Sequence, residues 1–456
     1  MPIAMPGDSV SDARGAPRGA TPTGILTAAL RSATPRALAV LARRTGDFDD
    51  AEDALQEAVA AAVVQWPREG IPAEPAAWLV RVGSRRFVDA VRSNAARRDR
   101  EDRAARLSAR EGEASDRDDT LRLFLLCCHP ALPRASQVAL TLRCIGGLTT
   151  REIARGLLST EATIAQRISR AKTRLRGLPF DGDGSGGAAP LGDRVPAVLE
   201  VLALLHTEAH TAAGGANVSR GPLGAEALRI ARMLLALGSP ADEWYPEAAG
   251  LVVVMLLTDA RAPARTDAEG MPIPLELQDR ALWRADLIAE GLALLQETLA
   301  LRRAGRLQVR AAIAAVHAEA ARAEETDWRE ILGLYEVLCR LDPGPTSALG
   351  HAVARGEVEG PDAGLAALGA IDGDGLGGAQ VTGGVGVTGE VGITGGGGLT
   401  GGVPAGRVAA VRAHLLARAG RGEEAAAAYG LAARLSGNEA ERRWLRREAR
   451  GHVGEK

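Results

Sequence analysis

Lysine is almost missing from this chain. Lys172 and Lys456 are the only two among 55 basic residues in 456 positions. Arginine therefore supplies nearly every cation, a bias of the kind a GC-rich genome produces. Aromatic residues are also scarce, at 3%. Ala and Leu dominate instead, which favours packed helices over sheets. Four cysteines cannot form a disulfide framework in a chain of this length. Cys127, Cys128 and Cys144 lie in apolar helical surroundings, so reduced, buried thiols and a cytoplasmic protein are expected. Long apolar runs are missing too. The longest, Ala248 to Leu257, is too short to span a bilayer, so no membrane association is expected. Residues 1–22 have no apolar h-region and read as a disordered N-terminus rather than a signal peptide. What remains is an all-α chain with 46% hydrophobic residues, ample for real cores. Its length suits roughly two to four domains.

The most informative stretch is Ala139 to Arg176, which reads as a helix-turn-helix with a basic second helix. Thr149 and Thr150, with Glu152 close behind, form a polar helix opening. Ile153, Ala154, Leu157 and Leu158 are spaced for one buried face. Ser159 and Thr160 offer a second cap. Ile164, Ile168, Ala171 and Leu175 then recur as an inner stripe, while Gln166, Arg167, Arg170, Lys172, Arg174 and Arg176 face outward. Such a helix fits the major groove. From Arg134 to Arg176 there are nine Lys/Arg against two Glu, in a chain whose net charge is −2. A basic island of this kind is the footprint of a phosphate-binding surface.

Residues 23–98 form the first ordered block. Within it, Asp50 to Trp66 is expected to be a helix that Pro67 and the following REGIPAEP end. Ala51, Leu55, Ala58, Val59, Ala62, Val63 and Trp66 make its apolar stripe. Asp50, Glu52, Asp53, Gln56 and Glu57 give it a polar, acidic surface. A second helix, Ala76 to Asn94, turns Trp78, Leu79, Val82, Phe87 and Val91 inward and Arg81, Arg85, Arg86 and Arg92 outward. Residues 99–120 read as a charged linker, 121–178 as the helix-turn-helix block and 179–190 as a Gly-rich linker. Residues 191–372 form a helical extension with amphipathic segments at Glu226–Leu237, Leu282–Ala304 and Gln308–Glu325, and Asp327–Leu341 reads as the first helix of a helical hairpin. Residues 373–406 repeat VTGG, VTGE, ITGG and LTGG, too much glycine to hold a helix, and are expected to be a disordered insert. Residues 407–450 show helix, tight Gly turn and helix, a tetratricopeptide-like hairpin.

These pieces resemble a known family. LARRTGDFDDAEDALQEAVAAAVVQWPREGIPAEPAAWLVRVGSRRFVDAVR is similar to region 2 of a sigma factor of the extracytoplasmic-function class, in the sigma-70 family. ALTLRCIGGLTTREIARGLLSTEATIAQRISRAKTRL is similar to region 4. LFLLCCHPAL, LTDARAPARTDAEG, QDRALW, AAIAAVHAEA and TDWREILGLYEVL resemble the subgroup whose sigma module carries a C-terminal helical, tetratricopeptide-like extension. The resemblance covers most of Leu38 to Arg447, apart from the Gly-rich insert. It implies a promoter-recognition subunit that binds core RNA polymerase, through its β and β′ subunits, and promoter DNA. Asp50, Glu52, Asp53, Gln56 and Glu57 would dock on the polymerase. Arg85, Arg86, Asp89 and Arg92 would approach and help melt the −10 element. Thr160, Glu161, Thr163 and Gln166 would meet base edges of the −35 element, with Arg167, Arg170, Lys172 and Arg174 on phosphates. The extension would act in cis on sigma activity and have a protein or ligand as its own partner.

The chain departs from the family pattern at two places that bear on DNA. Ala165 stands where the family often has a lysine, and Val82, Gly83 and Ser84 stand where Ala-Arg-Asn is common. Gly83 inside a helix costs about 1 kcal/mol against Ala.

No cofactor, metal or catalytic set is expected. His206 and His210 have metal-ligand spacing, but no third ligand is evident, and a helix face with partly exposed histidines is the plainer account. Cys127 and Cys128 are adjacent on a helix and point about 100° apart, which suits one tetrahedral site poorly. No Ser/His/Asp or Cys/His constellation is readable, so the chain is not expected to be an enzyme. The competing reading is a one-component helix-turn-helix regulator with a C-terminal sensor. It has no use for the acidic helix around Asp53 or the arginine-bearing helix around Arg86.

Overall fold

The computed structural model describes residues 22–93, 119–156, 159–176, 191–211, 221–373 and 405–452. The expected N-terminal tail, nearly all of the charged linker, the Gly-rich linker and the body of the Gly-rich insert lie outside these residues. So do Leu157 and Leu158 and the side chains of Val91, Arg92 and His210. Among the described residues there are 18 α-helices and no strand, only an isolated bridge between Thr266 and Pro272. Two compact units emerge, one built on the first three helices and one on the remainder.

The first unit comprises α1 (Pro22–Thr45), α2 (Phe48–Glu69) and α3 (Pro75–Ser93). Its core joins Ala37, Leu38, Leu41 and Ala42 of α1 to Ala51, Leu55, Ala58, Ala62 and Trp66 of α2 and to Leu79 and Phe87 of α3. The α2 stripe is thus as expected except at Val63, which is exposed, as is Val64 beside it. Pro67 does not end α2, which runs on to Glu69. A proline in the last turn removes one backbone donor, and the turn tolerates that. The stop is Gly70, at φ +89°, whose N–H closes on the Trp66 carbonyl at 3.0 Å. Trp66 and Trp78 meet edge to face at 5.4 Å and pin the end of α2 to the start of α3.

Gly83 has a packing reason. A Cβ there would lie 3.0 Å from Leu41 Cδ1 and 3.1 Å from the Ala54 carbonyl oxygen. The close approach of three helices offsets the propensity cost that the sequence attaches to this residue. Beside it, buried Ser84 accepts a hydrogen bond from Arg44 at 3.2 Å.

By length and composition, residues Gly24–Thr45 of α1 could cross a membrane. The continuous run Ala248–Leu257 does not reveal this, because α1 mixes its apolar residues with polar ones. Its inner face is the core of the bundle just described.

The second unit begins with α4 (Thr120–Cys127), α5 (Arg134–Cys144), α6 (Thr150–Gly156) and α7 (Glu161–Leu175). Next come α8 (Leu191–Thr211), α9 (Gly221–Leu237), α10 (Tyr245–Ala260), α11 (Ala285–Leu299) and α12 (Arg306–Glu319). The run Ala248–Leu257 is the buried middle of α10, against which α11 and α12 pack. Helix α11 starts at Ala285 rather than Leu282, because residues 262–284 form an irregular arm with short 3₁₀ turns. Arg261 and Arg280 stack on the Trp283 ring at 5.4 and 5.0 Å. Arg280 also donates to the His317 carbonyl at 2.8 Å and to Thr326 Oγ1 at 3.1 Å, which ties the arm to the end of α12. Helix α12 stops at Glu319, short of the expected Glu325, and another 3₁₀ turn follows at Ala323–Glu325.

Helices α13 (Trp328–Leu341), α14 (Pro345–Glu359), α15 (Pro361–Gly373), α16 (Ala405–Arg418), α17 (Gly422–Leu435) and α18 (Glu439–Gly451) complete the unit. Asp327 caps α13 by accepting from the Arg329 and Glu330 N–H groups. The expected hairpin is α16 and α17, turned by Gly420 at φ +73°. A second pair, α14 and α15, precedes it.

Candidate nucleic-acid interface

The basic helix α7 is built as its sequence suggests. Thr160 caps it, with Oγ1 accepting from the Thr163 N–H at 3.1 Å, and the two hydroxyls are 2.8 Å apart. The preceding helix, α6, opens with a reciprocal box. The Thr149 N–H donates to Glu152 at 2.8 Å and the Glu152 N–H donates to Thr149 Oγ1 at 3.2 Å. Ile164, Ile168, Ala171 and Leu175 are buried against α5 and α6, together with Ile153 and Ala154. Thr160, Glu161, Gln166, Arg170 and Arg174 are exposed, while Thr163, Arg167 and Lys172 are half-buried. The eight candidate residues therefore share the outer side and the start of one helix. Its N-terminus carries the positive end of the helix dipole, which favours phosphate.

The opposite side of this motif is not open. Helix α4 has seven of eight residues buried, Thr120, Leu121, Leu123, Phe124, Leu125, Leu126 and Cys127. A helix buried all round needs neighbours on every side, and here they are α5, α8 and α9. Arg194, buried at the start of α8, donates to the Leu125 carbonyl. Arg134 at the start of α5 donates to the Ala197 carbonyl at 2.9 Å and pairs with Glu200. Glu200 also pairs with Arg306 at 3.3 Å. Arg306 lies 3.9 Å from Glu247, whose carboxylate accepts the Leu307 N–H at 2.8 Å. Burial pushes the Glu247 carboxyl up, against the pull of these backbone donors and of Arg306. The helix-turn-helix and the extension thus share a core and a ladder of charges. Periodicity gave no sign of this, because Arg134, Arg194 and Glu200 look like ordinary surface residues.

In the first unit, Asp53, Gln56 and Glu57 are exposed on α2, and Asp50 and Glu52 are half-buried. On α3, Arg85, Arg86 and Asp89 are exposed. The side chain of Arg92 is outside the described residues. The two candidate surfaces are not remote from each other. Arg86 lies 3.8 Å from Glu57 with both side chains exposed. An exposed pair of this kind contributes about 0–1 kcal/mol, so either partner is available to another molecule.

The other sequence candidates resolve plainly. His206 is fully buried, with Nε2 3.0 Å from Asp259, rather than partly exposed as expected. Helix α10 covers it, and Asp259 lies too far along the chain to be read as its partner. Among the described residues no group of three or more His, Cys, Asp or Glu could hold a metal. Cys127, Cys128 and Cys144 are free and buried. Burial pushes the Cys128 thiol up to about 12, which makes it a poor nucleophile.

Comparison with known proteins places names on these segments. Residues 30–97 match Sigma-70 region 2 and residues 124–175 match Sigma-70, region 4. Residues 194–299 match a family of unknown function, DUF6596. A protein of Rhizobium meliloti (strain 1021) named "Uncharacterized protein R00370" is 43% identical over 357 residues, covering 76% of this chain and 83% of that protein. No solved structure matches.

Proposed function

The chain belongs to the sigma-70 family and acts in promoter recognition and transcription initiation, and we propose that it does so as a sigma factor of the extracytoplasmic-function class. Core RNA polymerase and promoter DNA are its partners. On this reading the acidic face of α2 docks on core polymerase through Asp50, Glu52, Asp53, Gln56 and Glu57, whose charge suits a basic groove. Arg85, Arg86, Asp89 and Arg92 serve the −10 element, where a base leaves the stack and arginines hold the backbone. Helix α7 reads the −35 element. Glu161 and Gln166 stand exposed toward base edges, Thr160 and Thr163 set the start of the helix, and Arg167, Arg170, Lys172 and Arg174 take phosphates. The work is done in the cytoplasm, where the polymerase is.

The observation that carries this reading is the pair of matched regions in the order 2 then 4, each with its charged face outward. The extension, tetratricopeptide-like in its last hairpin, regulates this activity in cis. Support for that comes from the core it shares with α4 and α5.

Copurification with core polymerase tests the docking face. The full chain is retained by core, and Asp53→Arg with Glu57→Arg lowers retention at least tenfold while leaving the melting temperature within a few degrees. DNA binding without retention of the unaltered chain on core would favour the one-component regulator instead.

A further inference from the structure

The extension holds a half-open cavity of about 590 Å³ between the 262–284 arm, α13, α14 and α16 to α18. That size is typical of sites for small organic molecules, about 300–1,000 Å³. Tyr429, Glu441 and Trp444 line it, yet they are only 5%, 6% and 6% exposed. The two rings meet edge to face at 6.0 Å, and Glu441 precedes Trp444 by about one turn of α18.

A carboxylate or phenol oxygen accepts, and an indole N–H donates, to whatever polar group reaches it across a cavity. One Glu441 oxygen accepts the Ser436 hydroxyl at 2.6 Å. The other Glu441 oxygen, the Tyr429 phenol oxygen and the Trp444 indole nitrogen have no hydrogen-bond partner among the described residues. None of the three is sealed inside the core. Three polar groups that protein atoms leave open to one cavity are what the polar head of a ligand would engage.

The surrounding charge says which head fits. Burial, and after it the nearby Glu448 and Glu276 carboxylates, raise the pKa of the Tyr429 phenol. Glu441 adds a third carboxylate at this end. Arg447 is 3.8 Å from Glu448, and Arg407 favours the ionised form of Glu441 against the desolvation that raises its pKa. At the other end, Glu357 is already taken by Arg418 at 2.8 Å and His414 at 3.7 Å. The unspent acceptors therefore sit beside aromatic faces, an arrangement that holds an ammonium group.

We propose that this cavity binds a small organic amine, its ammonium donating to Glu441 and the Tyr429 oxygen against the Trp444 ring, with its apolar body toward Val353 and Val411. This deepens the reading that the extension has a ligand of its own. It is tested without polymerase or DNA, so its failure is distinct from failure of the sigma reading.

Calorimetric titration of the full chain with phenethylamine is compared with phenylacetate, which has a similar aromatic body and the opposite charge. Phenethylamine saturates one site, and phenylacetate binds at least tenfold more weakly. Glu441→Gln weakens phenethylamine at least tenfold with little change in melting temperature. Tyr429→Phe, which keeps the ring, weakens it several-fold and decides the matter if Glu441→Gln does not fold. The proposal is overturned if phenethylamine gives no saturable heat, if phenylacetate binds equally well, or if a folded variant binds phenethylamine undiminished.

Discussion

A chain cut at Asp181 loses specific DNA binding as well as transcription. The reason is α4, whose leucines are covered on two sides by α8 and α9 of the extension. Each large apolar side chain that becomes exposed costs about 1.5–3 kcal/mol. Uncovering two or three of them, together with loss of the Arg194 and Arg134 contacts, removes much of the 5–15 kcal/mol or so that holds a small domain together. The truncated protein should therefore show no cooperative unfolding of the helix-turn-helix. Its affinity for a promoter fragment should fall at least tenfold, both read on purified protein by calorimetry and fluorescence anisotropy. Unchanged or tighter DNA binding would mean that the extension is a separable lid. The contacts argue against a lid, because the extension holds α4 and α5 while the outer side of α7 is open. On the proposed reading, regulation in cis would work by supporting the DNA reader, and a signal that loosens the extension would switch the protein off.

Replacing Arg167 and Arg170 together by Ala should abolish most promoter-directed initiation while sparing the fold. Both are on the outer side of α7, away from Ile164, Ile168 and Ala171. A hydrogen bond to a charged group is worth about 1.5–3 kcal/mol, so losing both phosphate contacts should cost at least about 100-fold in affinity at 1.4 kcal/mol per tenfold. The slope of log affinity against log salt should fall by about 2, because two phosphates regain their counterions. Binding to core polymerase should not change, since the acidic face on α2 is untouched. A promoter affinity within threefold of the unaltered protein would remove α7 from the DNA interface.

Local rules made the helix-turn-helix legible before any coordinates. Thr149 with Glu152, Thr160, and the stripe Ile164, Ile168, Ala171 and Leu175 each depend on residues a few positions apart. The same holds for the Gly420 turn. What stayed hidden depends on partners far along the chain. Gly83 looked like a weak point until Leu41 and the Ala54 carbonyl were seen against it. His206 looked half-exposed until Asp259 and α10 covered it. Val63 fitted the apolar stripe of α2, but periodicity does not say how wide the neighbouring helices are, and it is left exposed. Pro67 with the following REGIPAEP read as the stop of α2, and the stop falls inside that stretch, at Gly70 rather than at the proline. The cavity residues Tyr429, Glu441 and Trp444 carry no motif. They are brought together by the packing of α17 on α18.

The most direct test of the whole account is in vitro transcription with purified core RNA polymerase on a library of candidate promoters, with and without this protein. Initiation from specific promoters is expected, and it should require both the protein and core. If the protein binds those DNA fragments but core starts no transcript from any of them, its role as a sigma factor is contradicted.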